Sequence, residues 1–533
     1  MLVPGTPAAF VTHTSPGVSL KYCACVAVLV TSCLAAPARA ADGAPDQHEH
    51  YVAPTGLTLD FEEVWRRHVQ RYVKPRGHGW LTIGEELATL ALGSAWYWAS
   101  RDLNAADWDV DPQFGAIARR FTSLDYVRFD TNRFFVNQGH VLAGAIYYGW
   151  ARANDFGPIP SLLFAIATSA AWEYLMEFRE YVSLNDLVIS PYGGQAMGEV
   201  LYKWGELYRV MGDSLGFGAK ALTIAFAAPR AIHTAFDDER VTPWSPADGP
   251  PMQHEFRAAA GAVLRTRNEA VDGAAGTVAL TTRVVDMPGW HMTGSFDTFY
   301  QDGNFTALDL EFGFDRDGVD RASIAARALI AGYYQQDINA DGWGHALTLG
   351  LSRGAWLDLH DHVGLTDRIA MVDIAGPALV VDIFAGPVRA TASLRACFDL
   401  GQVTPLAFDA YTASHGDAGV RSELALEGYT FAYGGNFMPT IALETGPLRA
   451  QMAMQYSRFR DFRGPDRIHK NDVPTPLHLL DTRLVIRTAL EVDLYRGLGL
   501  NLRYDHTTRA GVTEDFVVTR KLQEIGAAVR YRF

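Results

Sequence analysis

In the stretch WEYLMEFREYVSLNDL, residues 172–187, Glu173 and Glu177 stand four residues apart at the end of a segment rich in Leu, Ile, Ala and Phe. On an α-helix they share a face, with Ser169 before them and Glu180 beyond. Two carboxylates one turn apart repel, and more strongly once drawn out of water. Both lie near a helix C-terminus, where the helix dipole disfavours negative charge. Something must offset that cost. The candidates nearby are Asn137, His140, Arg152, Arg179 and Asn185, a shared proton, or a metal ion.

Three chemistries fit these residue types. The first, which the sequence favours, is a buried polar network. His140 donates to a glutamate, Asn185 and Asp186 close a turn, and Ser190 starts the next helix with Pro191 in its first turn. The second is a divalent-metal site built from His140, Glu173, Glu177 and Asp186, with Glu199 as a further oxygen donor. That set suits Zn, Mn or Fe better than Cu(I), although no His-x-x-x-His or Glu-x-x-His spacing supports it. The third is acid–base catalysis, in which the carboxylate pair shares a proton and His140 is the partner base. An envelope hydrolase or transferase acting on lipid or cell-wall material would use such a set. Ser169 and Ser183 sit in no nucleophile motif.

The elements that position these residues are helical. GEELATLALGSAWYWASR, NQGHVLAGAIYYGWAR, GPIPSLLFAIATSAAWEYLMEF and SPYGGQAMGEVLYKWGELYRVMG all show helical spacing, as do LDFEEVWRRHVQRYV before them and FGAKALTIAFAAPRAIHTAF after them. The charge-free stretch Gly157–Trp172 is shorter than the about 20 residues a spanning helix needs. These segments therefore read as a helical bundle over residues 58–233. Gly194 and Gly198 form a small-x-x-x-small pair that permits close approach by a neighbour. Trp150, Trp172 and Trp204 read as core or interfacial anchors.

The N-terminus reads as an export signal over residues 1–40. Lys21 precedes the apolar run YCACVAVLVTSCLAA, and APARA offers small residues for cleavage. VTSC also fits a lipoprotein box, with Cys33 as the lipidated residue. Residues 41–57 form a polar tether and residues 234–251 a Pro-rich linker. Cys397 stands alone after Cys23, Cys25 and Cys33, so the mature chain has no disulfide framework. A net charge of −14 without any run of Lys or Arg argues against a nucleic-acid partner.

Beyond the linker the period changes to two. Leu484, Ile486, Leu490, Val492 and Leu494 alternate with Arg483, Arg487, Glu491 and Asp493. Leu308, Leu310, Phe312 and Phe314 oppose Asp309 and Glu311; Leu448, Met452, Met454 and Tyr456 oppose Arg449, Gln451 and Gln455. These segments exceed the about 5–6 residues of a soluble strand and reach the length of a tilted membrane strand. AGPVRA and TGPLRA supply repeated tight turns, DINADGWG and HDH read as loops, and Cys397 takes the polar register of its strand. Residues 252–533 are thus expected to form an antiparallel transmembrane barrel of about 12 strands with outer-membrane lipid outside it. The final strand ends IGAAVRYRF, which resembles the C-terminal signal read by the barrel-assembly machinery through Phe533.

The ordered set NQGH, YYGWAR, SAAWEYLMEF, VSLNDLVISPYGG and GE resembles a bacterial family of exported proteins, the domain of unknown function 3943, over about residues 130–210. Matching positions are Asn137, His140, Gly144, Trp172, Glu173, Glu177, Asn185, Asp186, Pro191, Gly194, Gly198 and Glu199. The family often has Pro after the His, where this chain has Val141. The resemblance implies no activity. The resulting expectation is an α+β multidomain protein, with a helical domain on the periplasmic side and a barrel in the outer membrane. Its leading role is to anchor that domain, or to pass or bind a small ligand with the domain as plug or lid. The rival is a membrane-anchored enzyme centred on His140, Glu173, Glu177 and Asp186, with Asn137, Asn185 and Glu199 as binding residues.

Overall fold

In a computed structural model the described residues are 77–100, 110, 113–211, scattered positions from 217 to 233, 252–462 apart from 269, 317, 363–364, 418–419 and 421, and 477–532, with a short strand pair at His50–Val52 and Thr58–Asp60. The export signal, Cys33, most of the tether, most of the expected helix over 59–73, the linker, most of the expected helix over 217–236, and Phe533 lie outside the described residues; Leu59 and Asp60, expected to open that first helix, belong instead to the short strand pair with His50–Val52.

Among the described residues thirteen strands follow Met252: β1 Gln253–Arg267, β2 Ala270–Val285, β3 Gly294–Tyr300, β4 Phe305–Asp315, β5 Gly318–Ile338, β6 Trp343–His362, β7 Leu365–Ala385, β8 Val388–Val403, β9 Thr430–Thr445, β10 Leu448–Asp461, β11 Leu479–Tyr495, β12 Leu498–Thr513 and β13 Phe516–Arg532. Every neighbour is antiparallel, and β13 closes on β1 through Leu522↔Arg267 to Arg532↔Arg257. Strands β3 and β4 both pair with β5, one after the other, and so form a single interrupted stave. The ring is therefore a closed barrel of twelve staves, the number the alternation predicts. Closure leaves no open sheet edge, which a strand structure in hydrocarbon requires. One rim carries tight turns, with Gly386 at φ 60 and Gly446 at φ 52 in AGPVRA and TGPLRA, where a side chain would be strained. The opposite rim carries a long loop with two short helices, Phe408–His415 and Ser422–Glu427.

The two faces sort as the alternation requires. Leu490, Leu502, Ile525 and Val529 are exposed on the outer face. Arg257, Glu491, Arg503 and Glu311 face inward and pair across the lumen at 2.6–2.8 Å. The lumen half toward the long-loop rim is filled. Arg265, Asp320, Arg321, Glu524, Arg483, Asp358, Arg509 and Asp481 are all buried there in ion pairs. A second lumen layer is apolar, with Trp356, Ile369, Met371, Val403, Ala432 and Phe459. His360 belongs to strand β6 beside Asp358, not to a loop, whereas 339–342 is the turn expected from DINADGWG.

The helices are α1 Gly79–Ala99, α2 Phe114–Arg119, α3 Phe134–Ala153, α4 Pro158–Ala171 and α5 Gly194–Met211. They neither plug the lumen nor stand off beyond one rim; they lie along the outer wall. Val141, Ile189 and Ala196 share one core with Ala355, Leu359, Ala370, Val372 and Phe431. Val200, Trp204 and Leu207 share another with Met252, Phe256, Val284, Leu308 and Ala326. The sequence shows which face of a strand is greasy but not what covers it, so Leu308 reads as lipid-facing and is instead buried under α5.

Candidate functional site

Helices α3, α4 and α5 cross so closely that only glycine fits. A Cβ on Gly144 would lie 1.7 Å from the Ser190 carbonyl oxygen, and one on Gly198 would lie 2.7 Å from the Tyr148 ring. This is the close approach that the small-x-x-x-small spacing predicts. The chain between α4 and α5 is irregular. Trp172–Met176 widens into a π turn, Val182–Ser183 pairs with Val127–Arg128, and a second π turn at Ile189–Gly193 leads into α5. Ser190 is accordingly no N-cap. The helical run already begins at Asp186, and Pro191, which has no N–H to give, sits inside the π turn.

Across the π turn the two glutamates take different partners. Glu173 accepts from the Ser183 N–H at 2.8 Å, and its own carbonyl accepts from the Arg120 guanidinium at 2.7 Å. Glu177, the residue that ends the turn, accepts from the Trp172 indole at 3.0 Å. Burial, then Glu180, Asp130 and Asp186, push the Glu177 carboxyl up to about 8.

Asn185 is the hub of the remaining set. Fully buried, its amide oxygen accepts from the Asp130 N–H at 2.9 Å and from the Ser183 hydroxyl at 3.0 Å. Its amide nitrogen donates to Asp186 at 2.9 Å and to Asn137 at 3.4 Å. Asn137 donates onward to the Tyr429 hydroxyl at 3.0 Å, and Tyr429 donates to the Asn132 carbonyl at 2.6 Å. Ser169 donates to the Asp186 carbonyl at 3.1 Å. His140, on the rim of the cluster, pairs with Asp186 at 3.4 Å and with neither glutamate. Structure thus brings together Asn137, His140, Asn185 and Asp186, sets Glu173 beside them through Ser183, and gives Glu177 the Trp172 indole as its donor.

Glu199 belongs elsewhere. Arg152 grips it with two nitrogens at 2.9 Å, and the Tyr148 hydroxyl donates to it. Arg152 also pairs with Asp302 at 3.0 Å, and Lys203 with Asp286 at 2.6 Å. Asp302 sits in the break between β3 and β4, where Gly303 has φ 63 and lies against Glu199. The interrupted stave thereby clamps α3 and α5 to the wall. Sequence reasoning missed this clamp, and also Tyr429, Arg120 and Asp130, because each partner lies far away in the chain. The lone apolar-segment residues Arg152 and Lys203 were the available signal.

Among the described residues no group of three or more His, Cys, Asp or Glu is arranged to hold a metal ion. His140 is the partly exposed partner of the buried Asp186 carboxylate in this cluster.

Residues 126–226 match the family model of DUF3943, a domain of unknown function. The match covers the segment that the NQGH to GE motifs mark, and it takes in α3, α4, α5 and the Asn185 cluster apart from Tyr429. No curated protein is significantly similar to this chain. Solved structures similar to it include the beta domain of the Bordetella autotransporter BrkA, at 13% identity over 52% of this chain and 99% of that one, with a TM-score of 0.17. The translocator domain of autotransporter NalP from Neisseria meningitidis matches at 12% identity over 62% and 99%, with a TM-score of 0.20. The outer membrane channel DcaP of Acinetobacter baumannii matches at 10% identity over 53% and 97%, with a TM-score of 0.22. The barrel assignment rests on the closed strand ladder and its apolar outer belt, which make the chain an outer-membrane β-barrel protein carrying a DUF3943 segment.

Proposed function

We propose that the protein is a non-enzymatic outer-membrane scaffold, in which the barrel holds the DUF3943 helices against its outer wall and the Asn185 cluster braces them. The observation that carries this is the fate of the polar side chains. Asn137, Asn185, Asp186 and Glu173 are buried and engage one another, backbone groups and the barrel-proximal Tyr429, which leaves them committed to holding the fold. The filled half of the lumen favours anchoring over passage of a ligand. Barrels of this class carry short turns on the periplasmic side and longer loops outside. On that rule the Asn185 cluster lies toward the outer rim and the Arg152–Asp302 clamp toward the periplasm. A domain wholly on the periplasmic side therefore has no support from the wall contacts. Delivery by the barrel-assembly machinery through Phe533 belongs to the same proposal.

One observation favours a second reading. His140 is partly exposed with Asp186 behind it, the arrangement that orients a general base. An envelope enzyme would use this pair on a lipid or cell-wall substrate, with a divalent metal as a further variant of the idea. The two readings separate in His140→Ala and Glu173→Gln. The scaffold predicts a loosened helical domain, seen as faster amide exchange over 127–200, in a barrel that still shows a heat-modifiable band. Normal protection in both variants, with a lost change in the lipid mass spectrum on expression, would instead establish the enzyme. Added zinc or manganese that altered the exchange pattern would revive the metal variant.

A further inference from the structure

The outside of the helical layer has the wrong surface for water. On α1 the exposed positions are Trp80, Leu81, Ile83, Gly84, Leu87, Ala88, Ala91, Leu92, Ala95, Trp96 and Ala99, and none carries a charge. Its two acids point inward: Glu86 is buried, and Glu85 bonds to Asn154 and His233. On α3 the exposed positions are Phe135, Val136, Gly139, Leu142 and Ile146; on α4 they are Ile159, Pro160, Leu163 and Ala167. A helix at a water surface carries charged or polar residues on that face. These three helices carry none.

We infer that α1, α3 and α4 are immersed in the hydrocarbon of the outer membrane and form a lipid-facing wall continuous with the barrel's own belt. This rests on the scaffold reading above and names the occupant of its open face as lipid acyl chains. Dimensions support it. Trp80 and Trp96 are 87% and 75% exposed. Sixteen residues of helix separate them by about 24 Å, which matches the about 25 Å apolar band between the aromatic girdles of outer-membrane barrels. Helix α3, at 20 residues, is about 30 Å long and runs from contacts with Tyr429 and Gln402 near the long-loop rim to Asp302 toward the other. The helical run Pro158–Met176 is long and apolar enough to cross a membrane, and most of it is not buried.

The docking chemistry supports it as well. In lipid there is no hydrophobic gain from joining apolar surfaces, so association relies on small residues and polar clamps. The wall beneath the helices offers Ala322, Ala326, Ala355 and Ala370, and the clamps are Arg353–Gln195 at 2.9 Å, Gln138–Gln402 at 2.7 Å, Arg152–Asp302 and Lys203–Asp286.

The test uses the full chain with Cys23, Cys25, Cys33 and Cys397 changed to Ala, refolded into phosphatidylcholine vesicles. Single cysteines at Leu87→Cys, Leu92→Cys and, as a barrel control, Leu502→Cys are labelled with bimane. Lipids brominated along the acyl chains are expected to quench positions 87 and 92 as strongly as position 502, with aqueous iodide leaving all three unchanged. Iodide quenching at 87 and 92 with lipid quenching at 502 would overturn the inference and leave the barrel intact. Protection of 87 and 92 from both quenchers would overturn it in favour of a protein partner. Loss of lipid quenching at 502 would instead bring down the scaffold reading itself.

Discussion

At the residue scale the decisive side chain is Asn185, which uses both its donor and acceptor atoms inside the fold. Asn185→Ala strands the Asp130 N–H and removes bonds to Asp186 and Asn137. Leaving buried polar groups unpaired costs about 1–3 kcal/mol each, so a loss of about 3 kcal/mol is expected in amide exchange over 127–140. Protection unchanged from the parent protein would show the hub to be dispensable. Glu177 carries a second prediction. Its carboxyl holds a proton in the folded state up to about pH 8 and lets it go near its ordinary value of 4.5 when unfolded. Its stabilising contribution is therefore complete below about pH 4.5 and is lost as pH rises through about 8. Exchange protection of 172–186 should fall across that window and be flatter in Glu177→Gln. Much of this cluster was legible: Asn137, His140, Asn185 and Asp186 do converge. The donors that serve Glu173 and Glu177 were not, because i, i+4 reasoning assumes an α-helix and Trp172–Met176 takes the wider π turn, with Ser183 and Trp172 supplying the hydrogen bonds.

At the element scale, close packing of α3 on the α4–α5 connection is the feature most sensitive to volume. Gly144→Val forces the helix away from Ser190, and overpacking of this kind costs about 1–3 kcal/mol. Arg152→Ala is the harsher change, since it leaves Glu199 buried without its cation. Breaking one side of a buried pair costs about 3–5 kcal/mol. Protease cutting between 211 and 252 should accelerate in both variants, and more in Arg152→Ala. An order reversed between the two would show packing to outweigh the clamp. Strand periodicity made the barrel readable because each stave exceeds ten residues apart from β3. The β3–β4 break escaped notice, since a short QDGN interruption looks the same as a turn until its neighbour β5 is seen to run straight past it.

On the scale of the whole molecule, the barrel's outer surface serves two solvents: lipid over β10–β13, and helices over β1, β2 and β4–β7 and the long-loop ends of β8 and β9. Alternation in sequence reports only that a face shuns water, so this division was invisible before the fold was known. The same blindness placed the helical domain beyond one rim, because a helix docked on a barrel wall leaves no short-range trace in either partner. Placement of the helices along that wall is the claim on which the account depends. Gln138 on α3 and Gln402 on the outer face of β8 meet at 2.7 Å. In Gln138→Cys with Gln402→Cys, a short bismaleimide should join the two in native outer membranes, yielding a cyclised chain of altered mobility. No link between these positions, together with a link from 138 to a lumen-facing cysteine at Asp399→Cys, would contradict it and return the domain to the inside of the barrel.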